Sequence, residues 1–187
     1  MIIGFMGKAG AGKTTAAQAA ERFVINSVIK SFATPLKQAV KKLFLFSDEQ
    51  VFGTYEQKAA IDPRWGVTPR EVLQKIGTDC IREMLCKDFW VRRMEAEIEA
   101  LDNAVVIIDD VRFVDEAQMI LDRGGVLIAI RRPPEAVGVH SSERPPYALA
   151  THEIVNNNSL TFFKAQVATT LYEELKRREH ANNRTVS

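Results

Sequence analysis

Along this chain, short apolar runs of strand character alternate with segments whose apolar residues recur every three or four positions, the spacing of a helix with one buried face. Ile2–Met6 reads as a strand, Lys13–Phe23 as a helix and residues 28–32 as a second strand. Residues 35–46 read as a helix with Leu36, Ala39, Val40, Leu43 and Phe44 on its apolar side. Residues 47–67 show no regular period. A helix start follows at Thr68-Pro69-Arg70-Glu71, where threonine caps, proline fits the first turn and glutamate completes a capping box. That helix is expected over residues 68–85, with another over 88–101 after a break at Cys86-Lys87.

Val105-Val106-Ile107-Ile108, ending in Asp109-Asp110, has the β-branched character of a strand buried on both faces, which belongs at the centre of a sheet. A helix over 114–123, a strand over 126–130, a proline- and arginine-rich loop over 131–151, a short strand over 153–155 and a helix over 160–178 follow. The polar tail 179–187 is expected to fray. This alternation predicts an α/β fold with a parallel sheet.

With 187 residues, 46% of them hydrophobic, the chain is expected to form one domain with one active site. A formal charge of +1 gives no global basic field, so stable nucleic-acid binding is not expected and phosphate recognition must come from placed residues. Cys80 and Cys86 turn to different faces of a helix and read as reduced intracellular thiols. No run is long enough to span a bilayer, the apolar start is too short for a signal peptide, and a cytosolic protein is expected. His140, His152 and His180 lack the spacing of a zinc site.

Gly7-Lys8-Ala9-Gly10-Ala11-Gly12-Lys13-Thr14 fits the P-loop pattern G-x-x-x-x-G-K-[ST] between a predicted strand and a predicted helix. The glycines let backbone N–H groups turn inward on phosphate oxygens, and the helix N-terminus adds partial positive charge. Lys8 through Thr15 are therefore expected to bind ATP, with Lys13 on the β- and γ-phosphates and Thr14 on Mg²⁺. The guanine-reading motif Asn-Lys-x-Asp is absent, which argues against a GTPase. Small size and a helical insertion after the second strand favour a small-molecule kinase over a motor ATPase.

Arg70, Gln74, Thr78 and Arg82 recur every four residues opposite an apolar face of Val72, Leu73, Ile76, Cys80 and Met84. Gly77, costly inside a helix, marks a close approach to the backbone and favours a ligand-facing stripe. Arg112, just beyond the central strand, falls at the carboxyl edge of the sheet, where open α/β sheets bind ligands.

Phe32-Ala33-Thr34-Pro35-Leu36-Lys37, Leu73-Gln74-Lys75-Ile76-Gly77-Thr78-Asp79 with Arg82, Asp88-Phe89-Trp90-Val91 and Asp110-Val111-Arg112-Phe113 resemble successive blocks of the bacteriophage-type deoxynucleoside monophosphate kinases. With the P-loop they cover most of residues 1–130. The resemblance implies an adenylate-kinase-like three-layer α/β/α fold with a five-stranded parallel sheet, a helical monophosphate-binding region over about 33–101 and a lid over 131–151. It implies Mg²⁺ and ATP as phosphoryl donor, a deoxynucleoside monophosphate as acceptor, and the host cytosol if the gene is viral. A homodimer stays open.

In those roles Lys37, Arg70, Arg82 and Arg112 offer charge to an acceptor phosphate. Phe32 or Trp90 would stack on the base, with Gln74 or Asp79 at its edge and Thr78 also among the substrate-binding residues. Asp110 is the expected Walker-B-type acid with Thr14, Asp109 being left open. Arg131 and Arg132 are expected as catalytic lid arginines beside Lys13 and Arg112, with His140, Ser141, Ser142 and Glu143 in the same lid. Displacement of an acidic residue from the position of His152 to Glu153 leaves the adenine contacts open. The alternatives are a dephospho-coenzyme-A-like or other small-metabolite kinase, and a P-loop ATPase with no phosphorylated acceptor.

Overall fold

The computed structural model describes residues 1–102, 104–134 and 144–185. β1 (Ile2–Met6), β2 (Ser27–Lys30), β3 (Val105–Val111), β4 (Val126–Arg131) and β5 (His152–Val155) form one parallel sheet in the order β2-β3-β1-β4-β5. Alternate strand residues feed two cores. Ile3, Phe5, Ile107, Ile128 and Ile130 pack against α1 (Lys13–Phe23) and α8 (Leu160–Thr185). Ile2, Met6, Val106, Ile108 and Leu127 face α2 (Thr34–Phe44), α6 (Phe89–Glu99) and α7 (Val114–Asp122). Burial on both sides explains why the central strands read as unbroken apolar runs.

Several boundaries differ from the sequence expectation for identifiable reasons. β2 stops at Lys30 because Ser31 and the Phe32 amide leave the ladder to bond Asp109 and Asp110. The stretch 47–67 contains two single-turn helices, α3 (Asp48–Phe52) and α4 (Tyr55–Ala59), each opened by a capping box, Ser47 with Gln50 and Thr54 with Gln57. Buried Asp62 anchors the rest of that stretch, accepting hydrogen bonds from Gln50 Nε2 at 2.8 Å and Arg64 Nη2 at 2.6 Å. The tail expected to fray is helical as far as Thr185, no glycine or proline interrupting α8.

The Thr68 capping box forms as expected, but α5 (Pro69–Gln74) widens into a π-helical segment, Lys75–Leu85. Its final turn shows the longer spacing, Cys86 N–H donating to Ile81 O at 2.8 Å. Gly77 lets this segment lie against α2, since a Cβ there would stand 2.5 Å from Leu36 Cδ2. The Gly77 carbonyl accepts a 2.9 Å hydrogen bond from Trp90 Nε1 on α6. The close approach signalled by Gly77 is thus helix packing.

Candidate active site

The loop between β1 and α1 lies at the carboxyl edge of the sheet. Gly7 adopts φ +156°, and a Cβ there would meet the Ile130 carbonyl oxygen at 2.5 Å, so only glycine lets the loop pass β4 so closely. Gly12, at φ +107°, begins the helix, and its Cβ would meet Asn156 Nδ2 at 2.7 Å. Asn156 in turn donates to Ala11 O at 2.8 Å and fixes the loop from the β5 side. Lys8, Ala9, Gly10 and Ala11 border a cavity whose other wall is Arg132, Pro133, Pro134 and Tyr147. Lys13 Nζ bonds the Gly7 and Lys8 carbonyls at 2.7 and 2.9 Å, so it is held over the loop. Burial, aided by the Arg112 charge and opposed by Asp110 and Asp109, lowers Lys13 to about 8. Thr14 and Thr15 follow on the first turn of α1.

The two consecutive carboxylates of β3 face different partners. Gly4 pairs with Ile108 and Met6 with Val111, so Asp109 and Asp110 together oppose the single residue Phe5 in a bulge. Asp109 Oδ2 accepts from Thr14 Oγ1 at 3.1 Å, and its other oxygen accepts from Ser31. Asp110 is buried and accepts from the Phe32 and Ala33 amides at 2.8 and 2.9 Å. Burial and the neighbouring Asp109 charge push Asp110 upward. The acid beside Thr14 is therefore Asp109, while Asp110, assigned the metal role from sequence, shapes the turn after β2.

Next to the loop, a cavity runs between α2, α4, α5 and the β3–α7 turn. Phe32, Lys37, Arg70, Gln74, Thr78, Trp90, Asp110 and Arg112 all line it, as do Lys58, Phe113 and Glu116. Lys37, Lys58, Arg70 and Arg112 bring four cations to its walls. Lys58 is lowered by burial and by the charges of Lys37, Arg112 and Arg70. Arg70 is lowered by burial and by Arg112. Arg112 Nε is buried with no hydrogen-bond partner. A cluster of desolvated like charges with an unpaired guanidinium donor is a setting suited to an anion. The remaining lining is largely apolar or neutral and includes Leu36, Leu73, Phe32, Trp90, Phe113, Gln74 and Thr78.

Two residues expected in the acceptor site lie outside this lining. Asp79 is exposed at the surface. Arg82 is only 8% exposed and is consumed behind the cavity, its Nη2 bonding Glu116 Oε1 at 2.8 Å and its Nη1 bonding Asp115. The π-helical widening carries Arg82 off the stripe that an α-helical period would give. Glu116 also accepts from the Arg112 and Phe113 amides at 2.8 and 3.1 Å, and burial pushes it up to about 8. The two arginines expected in the lid differ as well. Arg131 lies over the Tyr147 ring at 3.6 Å and bonds Glu153 at 3.1 Å, whereas Arg132 Nη1 reaches Gly10 O at 3.3 Å. His140, Ser141, Ser142 and Glu143 lie outside the described residues.

Lys58, Phe113, Glu116, Ser31 and Asn156 were missed from sequence. For Lys58 a signal existed, since the capping box at Thr54 predicts the short helix that carries it. For Glu116 the position three residues after Phe113, at a helix start, was available.

The family model for deoxynucleotide monophosphate kinases matches residues 41–167. The chain is 42% identical over 185 residues to a protein of Acanthamoeba polyphaga mimivirus that carries a deoxynucleotide monophosphate kinase name, covering 89% of this chain and 94% of that protein. It is 31% identical over 100 residues to the deoxynucleoside-5'-monophosphate kinase of Escherichia phage T5, covering 48% of this chain and 40% of that enzyme. In fold it is similar to shikimate kinase from Acinetobacter baumannii in complex with shikimate, with a TM-score of 0.52 and 12% identity over 94% of this chain and 93% of that one. Taken with the P-loop and the adjoining cation-lined cavity, the match over two thirds of its length means that the chain belongs to the deoxynucleotide monophosphate kinase family.

Proposed function

We propose that the protein transfers the γ-phosphoryl group of ATP to a deoxynucleoside 5'-monophosphate, with the acceptor phosphate held by Lys37, Lys58, Arg70 and Arg112. The observation that carries this reading is the cation-lined cavity beside the P-loop, with the buried, unpaired Nε of Arg112 among its lining groups. An acceptor phosphate near neutral pH already presents an anionic oxygen, so no protein base is needed. The task of the site is to bring two anions together in line and away from water. The backbone amides of Lys8 to Thr15 cradle the ATP phosphates, Lys13 exchanges its loop carbonyls for β- and γ-phosphate oxygens, and Arg132 lies across the loop from them.

The hydroxyl of Thr14 and the carboxylate of Asp109, 3.1 Å apart, make a hard oxygen pair suited to Mg²⁺, and these two residues would hold it. The ion supplies charge neutralisation on the β- and γ-phosphates. Asp110 orders Phe32 and Ala33, which form part of the acceptor wall.

Arg112→Ala tests the assignment. It is expected to raise the acceptor KM about 10- to 100-fold, the loss of a charged hydrogen bond of about 1.5–3 kcal/mol, while leaving the ATP KM within about twofold. An unchanged acceptor KM would remove Arg112, and with it the cavity, from the reaction.

A further inference from the structure

Three aromatic rings line the acceptor cavity, and they are not equivalent. Trp90 is 8% exposed, meets Phe89 edge-on at 4.9 Å and donates its indole N–H to Gly77. Phe32 is 5% exposed and belongs to the packed core on that face of the sheet. Phe113 is neither buried nor part of that core. Its ring has the Arg82 guanidinium on one face, 3.9 Å from the centroid, and it borders the cavity next to Arg112.

The backing is fixed from several sides. Arg82 is held by Glu116 and Asp115, and Glu116 also holds the backbone amides of Arg112 and Phe113. The pair therefore joins the π-helical wall of the cavity to the turn that carries both Phe113 and Arg112. A buried ion pair is weak evidence for stability, since its desolvation offsets its attraction. Its geometric effect is definite: the ring cannot move toward that face without displacing a paired guanidinium.

We infer that Phe113 is the stacking platform for the acceptor base and that Arg82 is a positioning residue acting through it, a specificity role that rests on the proposed acceptor site. The phosphate is gripped by Arg112 and the base lies on the next side chain in sequence. Stacking accepts any π-face, so this platform selects a nucleotide over a base-free sugar phosphate without choosing the base. The choice among bases then falls to Gln74 and Thr78 on the facing helix wall.

Phe113→Leu is expected to raise the deoxynucleoside monophosphate KM about tenfold or more, with the ATP KM and kcat within about twofold of the parent. Arg82→Lys, which keeps the charge and loses the planar face, is expected to raise the same KM and leave kcat unchanged. A folded Phe113→Leu protein with the parental acceptor KM overturns the inference. Independently of any variant, the parent protein bound to a deoxynucleoside monophosphate should show nuclear Overhauser contacts between the Phe113 ring and the base protons, and their absence overturns it too. A parent protein forming no ADP in response to any monophosphate would instead remove the underlying acceptor site.

Discussion

Replacing Asp109 with asparagine keeps its shape and removes its charge beside Thr14 Oγ1. The expected result is a Mg²⁺ requirement raised about 10-fold or more, since loss of even an outer partner of a metal costs about that much. Asp110→Asn should leave the Mg²⁺ dependence alone. Because Asp110 accepts from both the Phe32 and Ala33 amides, an asparagine there, with a single acceptor oxygen, leaves one amide unsatisfied. That costs about 1–3 kcal/mol, or about 2–4 °C of Tm per kcal/mol. Mg²⁺ titrations of the rate and thermal melts separate the two, and equal Mg²⁺ dependence would contradict the assignment. Residue spacing could not decide between these neighbours, because the decision lies in one extra residue of β3 relative to β1, a property of strand pairing.

α4 is a five-residue helix that places one cation, Lys58, in the cavity proposed to hold the acceptor. Thr54→Ala removes a cap worth about 1 kcal/mol from so short a helix. It should therefore raise the acceptor KM and leave the ATP KM unchanged. The same element gives a pH dependence. Burial and the charges of Lys37, Arg112 and Arg70 hold Lys58 below the ordinary lysine value. A lowered lysine is charged below its pKa and neutral above it. Acceptor affinity should thus weaken on the alkaline side at a lower pH than an ordinary lysine would allow. Measured as equilibrium binding of the monophosphate without ATP, that alkaline limb should vanish in Lys58→Arg, whose guanidinium stays charged. A limb unchanged by the substitution would contradict the role. Elements with a long apolar period or a glycine-lysine signature, such as β1, the P-loop and α1, were legible to the residue. The widening of α5 was not, because apolar spacing near four residues per turn fits α- and π-helical turns alike until Gly77 meets Leu36 and Trp90.

At the scale of the molecule, a net charge of +1 conceals a local field: four cations line one cavity while Lys13 and Arg132 face the loop beside it. Alternating sheet and helix, together with the resemblance carried by four sequence blocks, was enough to read the α/β/α architecture and to place the P-loop and Arg112 at the carboxyl edge of the sheet. What sequence could not supply was the sorting of charged residues into those that meet the cavity, such as Arg70 and Arg112, and those spent behind it, such as Arg82. α8 docks through Phe163, Val167 and Leu171, and Arg178 Nη1 bonds Gly124 O at 2.7 Å, whereas residues 179–181 are exposed. Ending the chain after Arg178 should therefore shift Tm by no more than about 2 °C, within the usual range for surface changes. Among the described residues no helix is long and apolar enough to cross a membrane. The most direct measurement of the whole is ADP formation from Mg·ATP across deoxy- and ribonucleoside monophosphates, with and without acceptor. The expected result is turnover that requires a deoxynucleoside monophosphate and is abolished in a folded Lys13→Ala protein; ADP formed at the same rate with no monophosphate present would contradict it.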